Sequence, residues 1–468
     1  MQPIQDLFDF VGSDDMATEV FCIQQARASP IRSTTTGSIS DHITESCTVF
    51  VTWIDVMDTD INDTLVPEET TQNNASVSSD TTAGFLDLNH VKDTTAPDLK
   101  TLLTTLASKV WIGETPSSNM INVCRENIMD GAMRAFARQS FNPEAKLSVI
   151  FMDDFMQAEG SVDEGGPTRE FFRLLMMALK DSTLFTGPQD SKNLSLDSHA
   201  LHRGLYRTYG VMMAVALVHG GVLPSFFSDR LYQNLCSTPT SPPTLEEVAD
   251  LDLQWKLKKI SEAGDITEAR AAIEEAAESL SLLGSLRHIT TMEGRDQLVQ
   301  AATSFYVEGR TKEALQQLSE GLNTLGLLDL IKIHPSIFKE VFSSSGRPLK
   351  ATDLISLFQA TLSPPGSNRW RLEKRVEGYW RDFLLDVEDG VFEITMEQIL
   401  VFASGADQIP ALGFSPHPTL NFNHDTGRKY PEANTCLVNL KLPIHDTYRQ
   451  FTKYMCDGII QAPTFGLA

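Results

Sequence analysis

Six cysteines (Cys22, Cys47, Cys124, Cys236, Cys436 and Cys456) are the residues here best suited to attack a carbonyl carbon. No two form a C-x-x-C pair, and the histidines are scattered without an H-E-x-x-H run. Neither a zinc module nor a disulfide scaffold is therefore expected, and no metal or cofactor. Cys124 beside Arg125, Cys236 in a small-residue loop and Cys456 in an amphipathic stretch read as small packed side chains. Cys436 differs in context. It follows the polar run PEANT and precedes the alternating run CLVNLKL, so a rigid strand could present its thiol at the strand entrance. A nucleophilic thiol must be partly exposed and able to ionise. The residues alone leave Cys436 open between a nucleophile and a packed thiol.

Other chemistry is less well supplied. Asp153-Asp154 and Asp163-Glu164 could act as paired carboxylates, but in so acidic a chain they read as solvated turns. His219, at the end of an apolar run, reads as a hydrogen-bonded structural or capping group. Gly165-Gly166 lacks the flanking Gly and Lys of a phosphate cradle, and no G-x-S-x-G elbow occurs.

The elements that must position these residues follow from periodicity. Residues 147–152 read as a buried strand, 159–167 as a turn-rich break, and Thr168 as the start of an apolar helix. Residues 205–219 are apolar almost all round and stop at Gly220-Gly221, as a core helix would. Ser225 restarts a helix through Leu235, and further helical periods run over 267–282, 292–306 and 311–322. Thr352 is expected to cap a helix, and SPPGS at 363–367 reads as a linker. Beyond it come helices at 370–385 and from Thr395, a Pro/Gly-punctuated segment, a strand at 436–442 and a helix at 445–460. The pattern is α+β: a larger, mostly helical domain, then a smaller mixed one of about 100 residues.

Composition sets outer limits. The chain has 468 residues and a net charge of −24, which argues against a nucleic-acid or anionic-membrane binder. No apolar run approaches the ~18 residues of a membrane span, and the start MQPIQDLFDFVG has no basic leader region. An intracellular protein, cytoplasmic or nuclear, is expected. The first 110 residues hold 17 Asp and Glu against 5 Lys and Arg, and 28 Ser and Thr. Such a segment buries too little apolar surface to offset its ordering entropy, so it is expected to be mostly disordered. CTVFVTWIDV at 47–56 is the exception, with strand-like content.

The end of the chain reads LGFSPHPTLNF, then PEANTCLVNLKLP, then a helix, then PTFGLA. It resembles the C-terminal lobe of HECT-type ubiquitin ligases, with its glycine-phenylalanine turn, Pro-x-Ala-x-Thr-Cys loop, Leu-x-Leu-Pro strand and terminal Phe. Upstream, ILVFASGADQIPALGF and EGSVDEGGPTREFFRLL resemble two further segments of that family. The resemblance covers roughly residues 115–468. It implies a bilobal fold: an N-terminal lobe over 111–363 and a C-terminal catalytic lobe over 364–468, after the acidic segment 1–110. It also implies that Cys436 accepts ubiquitin as a thioester from a conjugating enzyme and passes it to a lysine of a protein substrate. Ubiquitin, a conjugating enzyme and unidentified protein substrates are the implied partners.

Residues 250–290 depart from that pattern. They should bind the conjugating enzyme, but read as helices without the expected strands and loops. Within the family the chain most resembles divergent vertebrate HECT-like proteins. Two other readings stay open: a catalytically weak ubiquitin-binding scaffold, and a cysteine hydrolase pairing Cys436 with His424 or His445. The hydrolase would need an imidazole within hydrogen-bond reach of the thiol.

Overall fold

The computed structural model describes residues 20–25, 49–54, 97–110, 118–153, 157–159, 163–343 and 348–462. The chain divides into two units, residues 1–91 and 92–468. In the first, β1 (Val20–Gln25) and β2 (Val49–Ile54) pair antiparallel, Val20 opposite Ile54. β2 falls on the strand-like run foreseen at 47–56; most of the acidic segment expected to be disordered lies outside the described residues.

Among the described residues the second unit contains three hydrophobic cores. The first begins with α1 (Leu99–Ala107), β3 (Ser118–Val123), α2 (Ile128–Phe136) and β4 (Lys146–Phe151). β3 and β4 are parallel, Ile121 opposite Val149, and both side chains are fully buried. α3 (Gly166–Lys180) buries Phe171, Phe172, Leu175 and Leu179. α4 (Leu205–Gly220) has ten buried residues on all faces, the central core helix its composition requires. It ends at Gly221, whose φ of 64° suits glycine. The helix expected from Ser225 begins later, as α5 (Asp229–Leu235), because Ser228 caps it by accepting from Leu231 N.

The chain then leaves the first core. α6 (Leu251–Ser261), α7 (Ile266–Glu275), α8 (Ala277–Leu282) and α9 (Met292–Val307) surround a separate core containing Leu257, Ile260, Leu280 and Leu298. The single helix expected over 267–282 is two, broken at Ala276. Arg230, 9% exposed, ties this insert to α5. Its guanidinium donates to Glu247 through two nitrogens (2.5 and 2.9 Å), to Glu308 at 2.8 Å and to the Ser241 carbonyl at 2.8 Å.

α10 (Lys312–Leu322), α11 (Leu327–Ile333) and α12 (Pro335–Ser343) return to the first core. α10 crosses α4 glycine to glycine. A Cβ on Gly210 would lie 2.5 Å from the Leu318 carbonyl oxygen, and one on Gly321 would overlap that of Arg207. Backbone fills the space that side chains fill elsewhere.

The remaining core comprises α13 (Ala351–Leu357), β5 (Gln359–Ala360), α14 (Asn368–Glu388), α15 (Met396–Ser404), β6 (Thr419–Asn423), β7 (Glu432–Asn434), β8 (Asn439–Pro443) and α16 (Tyr448–Ile460). The cap of α13 is Lys350, not Thr352, and Asp353 accepts from its backbone N–H. Sheet order is β5-β6-β8-β7, with β5 and β8 parallel to β6, and β7 antiparallel to β8. Leu440 and Leu442 point into the core while Lys441 between them is exposed, the period-2 alternation of a half-buried strand. The SPPGS segment lies within this core's stretch of chain, after Ala351, Leu354 and Phe358, which already belong to it. Among the described residues no helix is long and apolar enough to cross a membrane.

Candidate functional site

Cys436 does not begin a strand. It lies in the turn joining β7 to β8, whose pairing resumes only at Asn439. Two features hold that turn tightly: Asn434 Oδ1 accepts from Leu437 N at 3.1 Å, and Val438 adopts a φ of 48° with its side chain fully buried. A β-branched residue at positive φ is costly unless packing enforces it. Cys436 is half-buried, and its neighbour Leu437 is 52% exposed. The turn therefore offers a thiol beside an exposed apolar side chain on a fixed backbone.

The second half of the site comes from α3. Gly165 stands at φ 111°, and Pro167 occupies the first turn, where its missing N–H costs nothing. Asp163 organises this entry: its carboxylate accepts from Gly165 N (2.9 Å), Thr168 N (3.3 Å), Thr168 Oγ1 and, across from β4, Val149 N (2.8 Å). Gly166 then approaches the cysteine turn so closely that a Cβ there would overlap Thr435 Oγ1 and lie 3.2 Å from Cys436 N.

Three residues along the same helix face, Arg169 closes the contact. Its Nε donates to the Ser404 carbonyl at the end of α15 (2.9 Å). Its Nη2 donates to the Thr435 carbonyl and, at 3.4 Å, to the Cys436 carbonyl. Burial pushes the guanidinium below its usual range, while the nearby Cys436 and Asp163 side chains act the other way. One side chain of α3 thus holds the carbonyls on both sides of the Cys436 Cα.

Beneath it lies an ionic cluster. Arg125 donates to both oxygens of the buried Glu170 (2.9 and 3.2 Å) and also to Glu159, and its guanidinium stacks 4.1 Å from the Phe151 ring centroid. Arg173 lies 3.9 Å from Glu170. Burial pushes the Asp407 carboxyl up, with Arg173 opposing.

The other foreseen candidates are distributed elsewhere. Asp163 is engaged in helix capping, and Asp153 accepts from Gln157 N within its own loop; Asp154 lies outside the described residues. His219 is a hydrogen-bonded structural group, the first of its two expected roles: half-buried, its Nε2 lies 2.7 Å from the Pro143 carbonyl, and burial pushes its pKa down. His424 Nε2 is 2.7 Å from Glu373, and His445 Nε2 is 2.9 Å from the Lys429 carbonyl with its ring stacked on Tyr454. Both imidazoles are thus engaged with groups other than the thiol. Burial pushes the Cys236 and Cys456 thiols up. Among the described residues no group of three or more His, Cys, Asp or Glu could hold a metal ion.

Arg169, Ser404 and the Arg125–Glu170 pair were not singled out from sequence. The available signal was the i, i+3 spacing of Gly166 and Arg169, which puts a bare backbone and a long cation on one helix face.

Comparison with known proteins adds the following. Residues 167–468 match the model of the HECT-domain (ubiquitin-transferase) family. The human G2/M phase-specific E3 ubiquitin-protein ligase is 35% identical over 335 residues, covering 71% of this chain and 45% of the relative. Its Gallus gallus counterpart is 34% identical over 336 residues, 72% of this chain and 44% of the relative. The E3 ubiquitin-protein ligase RSP5 of Chaetomium thermophilum is 24% identical over 373 residues, 74% of this chain and 43% of the relative. The chain therefore spans less than half the length of these relatives.

Proposed function

The chain belongs to the HECT-domain (ubiquitin-transferase) family, and from that premise we propose that it transfers ubiquitin through a thioester on Cys436. The observation that carries this reading is the half-buried thiol in a backbone turn held by Arg169. In the first step the Cys436 thiolate attacks the thioester carbonyl joining ubiquitin to a conjugating enzyme, and the conjugating enzyme's thiolate leaves. One thioester replaces another, so this step is near thermoneutral. In the second, a substrate lysine amine attacks the new carbonyl, the Cys436 thiolate leaves and an isopeptide bond remains. Splitting one acyl transfer into two is nucleophilic catalysis. Because the acyl group arrives activated, the chain itself needs no nucleotide site.

The turn supports both steps in the same way. A thiolate fixed on a rigid backbone loses little orientational freedom on reaching the carbonyl. We assign the bilobal organisation to the same reading: the core containing Cys436 carries the thioester, and the helical remainder receives the conjugating enzyme. Ubiquitin, a conjugating enzyme and protein lysines are the partners this requires, in an intracellular setting.

A catalytically weak, ubiquitin-binding scaffold is the second reading. The all-helical core of α6 to α9, where strands and loops were expected for conjugating-enzyme docking, is what favours it.

Incubating the purified chain with ubiquitin, its activating enzyme, ATP and a panel of conjugating enzymes decides between them. A ubiquitin adduct that vanishes with reductant and in Cys436→Ala is the expected result. Absence of any adduct across the panel overturns the transferase reading in favour of the scaffold.

A further inference from the structure

The SPPGS segment has no part in the site above. Ser363 is half-buried, Pro364, Pro365 and Gly366 are exposed, and Ser367 caps α14 by accepting from Trp370 N. Ser363 and Pro364 each precede a proline, which drives both toward extended backbone. Glu373, one turn into α14, holds Ser363 twice: Ser363 Oγ donates to Oε1 and Ser363 N to Oε2, each at 2.6 Å. Glu373 is 3% exposed. His424 Nε2 meets the same Oε1 at 2.7 Å. His424 directly follows β6, at the start of the connection that leads through β7 to Cys436. One buried carboxylate thus joins the proline turn, the long helix and that connection. Burial works against ionisation of Glu373, and the bonds from Ser363 and His424 outweigh it, holding the carboxyl below its ordinary range.

A hydroxyl so placed is sensitive to added charge. A phosphate on Ser363 brings about −1.5 to −2 charges. It would face a desolvated carboxylate, where like charges repel far more strongly than in water. The other Ser-Pro-Pro run, at Ser241, differs in that Ser241 offers its carbonyl to the cation Arg230.

We propose that Ser363 is a phosphorylation site for a proline-directed protein kinase, and that its phosphate releases the turn from Glu373. Ser363 Oγ attacks the γ-phosphorus of ATP, an O–P bond forms, the bond to the β-phosphate oxygen breaks, and ADP leaves. The hydroxyl proton passes to the kinase's base. Repulsion then drives residues 361–366 off α14 and leaves His424 to choose between two anions. This proposal stands apart from the transferase reading.

The test treats the full chain with a proline-directed kinase and ATP, maps the phosphate by mass spectrometry, and compares thermal melts with an identically treated Ser363→Ala chain. The expected result is phosphate on Ser363 and a melting temperature lowered by about 3–8 °C. In a Glu373→Gln background, which keeps an acceptor oxygen but not the charge, most of that shift disappears. If Glu373→Gln fails to fold, Ser363→Glu against Ser363→Gln isolates the charge, and the glutamate variant melts lower. Absence of phosphate on Ser363 in the folded chain overturns the proposal, whether or not a peptide spanning 358–371 is modified. So does a phosphorylated chain that melts like the unmodified one, or a shift undiminished in Glu373→Gln.

Discussion

Where α4 crosses α10, two helices meet through bare backbone, with Gly210 and Gly321 removing everything that would keep them apart. Where α3 meets the turn at Cys436, a glycine again clears the way, but one long cation then makes the contact through hydrogen bonds to three carbonyls. The first contact is fixed by shape and has no adjustable part. The second is polar, half-exposed and held by a side chain with several rotatable bonds. Close packing transmits any added volume as strain, whereas a hydrogen-bonded clamp can let go and re-form at small net cost. The difference separates a region fixed by its shape from one held by a contact that can be released and remade.

That contrast can be broken in graded ways. Gly321→Ala should have the largest effect: its Cβ overlaps the Arg207 carbonyl, so the loss in a denaturant melt should exceed the ~3 kcal/mol of ordinary overpacking. If the helices simply spread at little cost, the shape-fixed description of this crossing fails. Arg125→Met should follow, at about 3 kcal/mol, because it leaves the carboxylate of Glu170 buried without its bidentate partner. Arg169→Met should cost less, about 1–2 kcal/mol, since the freed carbonyls lie where water can reach part of the turn. Its distinguishing sign is kinetic: alkylation of Cys436 by a maleimide should quicken several-fold as the turn loosens. An unchanged labelling rate would mean that Arg169 does not hold the thiol.

The smallest effect is in the response to acid, where the two regions should differ in sign. His219, at the end of α4, is held below its ordinary pKa by burial. The unfolded chain titrates this histidine near 6.5, so it binds the proton first, and stability from this site is lost as pH falls below about 6.5. Asp407, near Arg173 of α3, is held above its ordinary pKa by burial. There the native state binds the proton first, and stability falls as pH rises through the folded-state pKa. His219→Gln should therefore flatten the loss of melting temperature between pH 7 and 5. Asp407→Asn should raise the melting temperature at pH 7 and lose that advantage at low pH. Parallel pH profiles for the two variants and the parent would remove both assignments.

Much of this molecule could be read from residue order, and the reasons differ by element. α4 announces itself because an all-apolar run ending in Gly-Gly has one economical fate, a buried helix with a left-handed stop. β8 is legible from Leu440, Lys441 and Leu442, whose alternation matches the pleat. The thiol at 436 stood out by context, although the strand was expected to begin there and begins at Asn439. Nothing local in T-C-L-V reveals that Val438 takes a positive φ; the buried seat of its side chain decides that. The helix starts at Ser225 and Thr352 were misplaced because each competes with a neighbouring residue for the cap, and tertiary contacts pick the winner. The clamp was invisible for a plainer reason. Arg169 and Thr435 are 266 positions apart, and no periodicity reports a contact at that separation.

The guanidinium of Arg230 gathers both ends of the α6–α9 insert, through Ser241 and Glu247 on the way out and Glu308 on the way back. Entry and exit of that stretch therefore converge on a single point of the host. A segment inserted between adjacent ends behaves as an exchangeable cassette, because its replacement need only present two carboxylates and a carbonyl at its border. The architecture thus lets the α6–α9 insert change in length and secondary structure while the glycine crossing and the cysteine turn keep their geometry.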